Sequence, residues 1–136
     1  MPHWLAIGPP SNWRIGARKG VWAVSPNQYK SWGQVSKGDV VYFYATAPVK
    51  GLIGYATVST TAATEKPFWP EEREKGHVLW PYHILLVDVR VLPTETWESK
   101  RLSPEREGIV FQRAFQPISD ERASEWKLSL DRILGG

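Results

Sequence analysis

The side chains in this chain with the clearest chemical potential are indoles placed at the ends of short predicted elements. Eight of the 136 residues are tryptophan, more than the core of a small domain is expected to absorb. Trp22 stands in a short apolar run between Gly20, which can close a helix, and Pro26, which ends a strand. Trp69 lies in an extended segment between two prolines. We therefore expect one or two indoles, Trp22 foremost, to keep a ring face open for a ligand.

Basic charge is concentrated in the same half of the chain as Trp22. Residues 1–60 carry six Lys and Arg residues against one acidic residue, Asp39, whereas the remainder carries 11 basic and 13 acidic residues. Open aromatic faces beside a basic surface suit nucleic acid, because bases stack on indoles and cations neutralise phosphates. Ordinary solvation of the surface is the alternative explanation of this charge.

Residue sets for catalysis are absent from the sequence pattern. The chain has no cysteine, which excludes thiol nucleophiles, disulfides and cysteine zinc sites. His3, His77 and His83 lack metal-ligand spacing, no serine lies in a nucleophile elbow, and no glycine-rich phosphate loop occurs. Glu71 and Glu72 are adjacent and point apart, so we interpret their charged run as a solvated face. The sequence predicts a binding protein that is not an enzyme and has no metal or cofactor.

Short runs of β-forming residues separated by turns predict a mixed α+β fold. The predicted strands cover residues 3–7, 21–24, 40–45, 52–58 and 83–92. The runs 40–45 and 52–58 indicate an antiparallel hairpin at the sheet centre, where Gly54 suggests that a large group, such as an aromatic ring, crosses the strand. The connection 59–81 is long and apolar enough to predict a lid.

Two helices complete the expected architecture. Ser11 or Asn12 can begin a short helix that ends at Gly20, and Ser119 can begin a longer helix with apolar positions every three to four residues. The length of 136 residues fits one domain over 1–136. Apolar runs too short for a membrane span, and an N-terminus without a signal-peptide pattern, predict a soluble cytoplasmic protein.

Several short motifs follow one another in an order that is typical of one family. In sequence they are Trp4-Leu5-Ala6-Ile7, Asn12-Trp13, Gly20-Val21-Trp22-Ala23-Val24, Lys37-Gly38-Asp39, Pro67-Phe68-Trp69-Pro70, Trp80-Pro81-Tyr82 and Phe111-Gln112-Arg113-Ala114. Together, over nearly the whole chain, they resemble the EVE domain family, a PUA-like fold that is a structural sibling of the YTH readers of N6-methyladenine. The resemblance implies a mixed, mainly antiparallel β-barrel or open sheet flanked by short helices.

The resemblance also implies a pocket for a flipped modified base, such as a methylated cytosine or adenine. Trp22 and Trp69 would be opposing walls of an aromatic cage, with Val78 or Leu79 as a third wall. Hydrogen bonds to the base edge would come from Asn12 and from the backbone around Ala23 and Ser25, while Tyr82 would line the mouth. Phosphate contacts would come from the basic half, through Arg14, Arg18, Lys19 and Lys30.

Three functions remain open at this point. The first is a reader of a modified base in DNA or RNA, with a free modified nucleoside as another ligand of the same pocket. The second is a PUA-type module that binds structured RNA by shape and charge, with every tryptophan in the core. The third is a small enzyme acting on a nucleotide or modified base. The first requires Trp22 and Trp69 to face each other across a gap of about one stacked ring.

Overall fold

A computed structural model describes residues 2–106 and 108–135 of the protein. The strands are β1 (His3–Gly8), β2 (Val21–Val24), β3 (Val40–Ala45), β4 (Gly51–Ala63), β5 (Tyr82–Val91) and β6 (Phe115–Ile118). The helices are α1 (Pro10–Lys19), α2 (Tyr29–Trp32), α3 (Pro70–Lys75), α4 (Trp97–Lys100) and α5 (Asp120–Gly135). Single 3-10 turns at Pro26–Gln28 and Thr94–Thr96 lead into α2 and α4. The predicted α+β class is confirmed.

The six strands form one sheet in the order β2-β5-β4-β3-β1-β6. Only β1 and β3 run parallel; the other four neighbouring pairs are antiparallel. The sheet curls into a half-barrel, so that β2 at one edge and the end of β1 near the other edge border a common cavity. This confirms the expected open, mainly antiparallel sheet.

The central hairpin is confirmed, but the reason for Gly54 differs from the expectation. Strands β3 and β4 pair in antiparallel register, with Phe43 opposite Gly54. A Cβ atom on Gly54 would lie 2.7 Å from the Cα atom of Val91, closer than real Cβ contacts allow. The group that comes closest here is therefore the backbone of the paired strand β5 and not an aromatic ring.

Alternating side chains of the strands build a core on each face of the sheet. In β1, Trp4 and Ala6 belong to the core on the α1 side, whereas Leu5 and Ile7 belong to the core on the α5 side. This is the two-residue period of a strand that is buried on both faces. Helix α5 begins where the sequence predicts, since Ser119 Oγ accepts a 3.2 Å hydrogen bond from the N–H of Arg122.

Most of the tryptophans are structural, as expected. Trp4, Trp13 and Trp97 are buried. Their indole N–H groups donate to Asp39 Oδ2 at 3.0 Å, Tyr44 O at 2.9 Å and Leu92 O at 2.8 Å. Trp32 and Trp80 are half-buried. No helix within the described ranges combines the length and apolar character needed to cross a bilayer.

Replacing Gly54 by alanine should lower the free energy of unfolding by about 1 to 3 kcal/mol, the usual cost of overpacking. Gly33→Ala is the matched control, because Gly33 has right-handed helical φ and ψ and a Cβ there would lie an acceptable 3.4 Å from Tyr29 O. Its effect should stay within about 0.5 kcal/mol. Urea unfolding measures both variants, and equal effects would show that β5 does not crowd Gly54.

Candidate functional site

A ring-sized cavity lies between edge strand β2 and the start of α1. Its volume is about 120 Å³, close to the roughly 150 Å³ of an engineered cavity that holds one benzene ring. From β1, α1 and the segment before β6, the lining residues are Ile7, Gly8, Pro9, Asn12 and Ala114. From β2, the turn after it and the segment before β5, they are Trp22, Ala23, Val24, Ser25, Gln28 and Trp80. Four of the residues expected to bind a base contribute to one cavity: Trp22, Asn12, Ala23 and Ser25.

Trp22 is fixed in this wall by packing on its neighbours. Its ring stacks on Trp13 with centroids 3.6 Å apart and planes 8° apart, and Trp13 in turn stacks on Phe43 at 4.3 Å. The Trp22 ring lies so close to β1 that position 8 must be glycine, because a Cβ atom there would lie 2.5 Å from Cζ2 of Trp22. Trp22 is only 5% exposed. One ring face is therefore committed to the core, and the remainder borders the cavity.

The predicted gap between Trp22 and Trp69 is wrong. The two rings meet edge to face, with centroids 5.8 Å apart and planes 72° apart. Trp69 is 2% exposed and does not line the cavity, and its Nε1 is buried without a partner among the described residues. No base fits between the two indoles. Trp69 supports Trp22 from inside the core because the segment that carries it folds inward.

The cause of this inward fold is the carboxylate of Glu72. One oxygen accepts the backbone N–H groups of Phe68 and Trp69 at 2.9 and 3.0 Å, and the other accepts those of Leu79 and Trp80 at 2.8 and 2.9 Å. Burial alone would raise the pKa of Glu72, but these four donors outweigh burial and hold the pKa below its usual range. The segments before and after α3 therefore both donate hydrogen bonds to the same carboxylate.

The charged run at α3 is thus not uniformly solvated, and the connection is not a free lid. Glu71 is exposed and pairs with Lys75 at 3.2 Å, as a surface residue should, whereas Glu72 is fully buried. Nearby His83 is also buried, and burial lowers its pKa against the opposing influence of Glu72 and the Trp80 backbone. Its Nε2 has no partner within the described part of the chain.

Trp80 is the cavity wall that the sequence analysis missed. Its backbone N–H donates to Glu72, the residue is half-buried, and it lines the cavity. The available signal was its position just ahead of β5, whose first residue, Tyr82, pairs with Val24 of β2. Leu79 and Tyr82 do not line the cavity, in contrast to their expected roles as third wall and mouth.

The free edge of β2 supplies hydrogen-bonding groups to the site. Strand β2 pairs only with β5, and the N–H of Leu86 donates to Gly20 O at 2.8 Å. Because an antiparallel ladder alternates, the N–H and C=O of Ala23 point away from β5, toward the unpaired edge. Asn12, in the first turn of α1, and Ser25, after β2, border the same space.

The expected phosphate-binding residues lie in different parts of the surface. Arg14 and Arg18 line grooves that α1 forms with Thr94 and Trp97, separate from the ring-sized cavity. Lys19 is exposed at the end of α1. Lys30 is exposed on α2, directly after the turn whose Gln28 lines the cavity.

A further cation, Arg113, lies beside the cavity. Its Nη2 donates to Ser31 Oγ of α2 at 2.9 Å, and the next residue, Ala114, is part of the cavity wall. The sequence analysis quoted Arg113 only within a motif and gave it no role. Within residues 2–106 and 108–135 no cluster of His, Asp and Glu is arranged to hold a metal ion.

Comparison of the whole fold defines its class. ASCH from Zymomonas mobilis aligns with a TM-score of 0.60 at 14% identity, over 93% of this chain and 94% of that one. The YTH domain of Mmi1, in a structure with RNA, aligns with a TM-score of 0.63 at 13% identity, over 99% and 87%. Rpa0253 from Rhodopseudomonas palustris aligns with a TM-score of 0.55 at 20% identity, over 99% and 94%.

The fold is therefore PUA-like, the class to which ASCH and YTH domains belong. No family model and no curated protein matches the sequence. The PUA-like part of the sequence prediction is confirmed, and the assignment to the EVE family stays a prediction.

Replacing Glu72 by glutamine should destabilise the protein by at least about 2 kcal/mol. A glutamine accepts through one oxygen and turns an NH₂ group toward the other two donors, and each buried donor left unpaired costs about 1 to 3 kcal/mol. Glu71→Gln removes the same charge from an exposed neighbour and should change stability by less than about 0.5 kcal/mol. Urea unfolding compares the two variants at neutral pH.

The difference in unfolding free energy between wild type and Glu72→Gln should depend on pH. The pKa of Glu72 is lower in the folded than in the unfolded chain, so its stabilisation is complete above about pH 4.3 and is lost as the pH falls through the folded-state pKa. The stability difference between wild type and Glu72→Gln should shrink on acidification. A difference that grows at low pH would contradict the assigned role of the carboxylate.

Proposed function

We propose that this protein binds nucleic acid and takes one modified base into the cavity between Trp22 and Trp80. The observation that carries the proposal is a ring-sized cavity in which an indole wall meets the free edge of β2 and the amide of Asn12. The Mmi1 YTH domain, which shares the fold, has been solved with RNA. A cytoplasmic location and membership of the EVE family belong to the same proposal.

The proposed recognition has two parts. A flipped base contacting Trp22 and Trp80 gains about 1 to 3 kcal/mol from stacking, and its edge meets the backbone of Ala23 and the side chain of Asn12. A methyl group on the base adds about 0.8 kcal/mol if it is buried in the cavity. The proposed base is therefore a methylated cytosine or adenine. Binding without turnover is the expected outcome.

The alternative is a PUA-type RNA-binding module without selectivity for modification. The burial of Trp22, with one face stacked on Trp13, favours this alternative over a cage of Trp22 and Trp69. A fluorescence titration with matched modified and unmodified ligands separates the two functions. Equal affinities would support the unselective module.

Trp80→Leu should weaken binding of a modified nucleoside about 5- to 150-fold, the equivalent of one stacking interaction. Asn12→Ala should weaken it about 2- to 10-fold, the equivalent of one hydrogen bond. Gln34→Ala, another amide on an exposed position, is the control and should bind like wild type. Trp69→Phe should keep the preference for the modified base. If this variant lost the preference, Trp69 would have to be part of the binding site.

Removing Lys30 and Arg113 should make the affinity for a single strand less dependent on salt concentration. Lys30→Ala combined with Arg113→Ala should reduce the slope of log affinity against log salt by about 1.4, since each phosphate contact contributes about 0.7. Arg14→Ala combined with Arg18→Ala should reduce it less, because those residues line a separate groove. An equal or larger loss from the α1 pair would place the strand along α1.

A further inference from the structure

A cluster of three aromatic rings covers the surface next to the cavity. Tyr29 and Trp32 of α2 and Tyr82 of β5 lie with ring centroids 4.7 to 6.0 Å apart. Tyr29 is 55% exposed. Among the large apolar side chains that are exposed within the described ranges, it is the aromatic one. The other two rings are half-buried beneath it. We refer to these three rings as the aromatic platform.

The aromatic platform is continuous with the cavity wall. Tyr29 follows Gln28, which lines the cavity, and Tyr82 pairs across the sheet with Val24, which also lines it. Trp80, the missed wall, is two residues ahead of Tyr82. Two members of the aromatic platform are therefore direct neighbours of residues in the cavity wall.

The aromatic platform is held in place before any ligand arrives. Trp32 Nε1 donates to His83 O of β5 at 3.0 Å, and Arg113 Nη2 donates to Ser31 Oγ at 2.9 Å. Helix α2 is thus tied to β5 on one side and to the segment before β6 on the other. Tyr29 rests against Tyr82 at 5.1 Å, which leaves its outer surface open to solvent. A supported ring loses little conformational entropy when a ligand stacks on it.

The cations around the aromatic platform indicate the chemistry of the ligand. Lys30 is exposed and follows Tyr29 directly, and Arg113 contacts the same short helix. An exposed ring flanked by cations is the combination that single-stranded nucleic-acid grooves use, with bases on the rings and phosphates on the charges.

We propose that the aromatic platform stacks the nucleotide adjacent to the base in the cavity, so that the ligand is a single-stranded segment of at least two nucleotides. The inference rests on the proposed function of the cavity. In a duplex, the neighbouring base stays paired and stacked in its own helix, so only an unpaired neighbour can reach Tyr29. A free nucleoside would fill the cavity and leave the aromatic platform empty.

The test compares ligands of increasing length that carry the same modified base. The free nucleoside, the dinucleotide, a short single strand and the corresponding duplex are titrated against wild type, Tyr29→Ala and Tyr29→Phe, with the strand made both as DNA and as RNA. Wild type should bind the dinucleotide at least fivefold more tightly than the nucleoside. Tyr29→Ala should remove this gain and leave the nucleoside affinity unchanged, whereas Tyr29→Phe should keep it. Because Tyr29 is largely exposed, the thermal midpoint of each variant should match wild type.

The outcomes separate this inference from the function of the cavity. Selective nucleoside binding with a dinucleotide affinity that Tyr29→Ala does not change would overturn the aromatic platform and keep the cavity proposal. Tyr29-dependent strand binding that ignores the modification would support the platform and overturn the base reading. A duplex that binds as tightly as the single strand would overturn the single-stranded ligand.

Discussion

The stack of Trp22 on Trp13 is the contact on which the rest of the site depends. Trp22 comes from an edge strand with one sheet neighbour, and Trp13 comes from helix α1, which lies against β3 through Phe43. The stack therefore joins the free edge of the half-barrel to its centre. Because the indoles lie flat against each other and close to Gly8, they leave a space the size of one ring beside β2 instead of a collapsed core.

The second wall of the cavity is positioned by electrostatics. Glu72 gathers four backbone N–H groups from two segments that are separated by α3, and the last of these belongs to Trp80. A buried carboxylate is costly unless its oxygens are satisfied, and here the donors satisfy it. An apolar side chain could fill the same volume, but it could not fix the direction of four peptide groups. A charge at this position therefore specifies the loop geometry as well as contributing stability.

Local signals in the sequence predicted where helices begin and end, but they did not predict which distant residues pack together. Gly20 closes α1 with φ of 71° and an N–H bond to Gly16 O, and Ser119 begins α5, both as predicted. Each of these depends on groups a few residues apart. The roles of Trp69 and Glu72 depend on segments distant in the chain. A run of charged residues is usually solvated, and nothing within it distinguishes Glu72 from Glu71.

The sequence by itself determined the α+β class, the PUA-like resemblance and the basic character of the half that contains Trp22. Only the tertiary structure decided that Trp80 and not Trp69 borders the cavity with Trp22, and that Arg14 and Arg18 line another groove. The physical reason is that propensity, capping and periodicity act between near neighbours in the chain. Which indole meets which depends on the pairing of β2 with β5 and on one buried carboxylate, and both are long-range interactions that form only when the sheet closes.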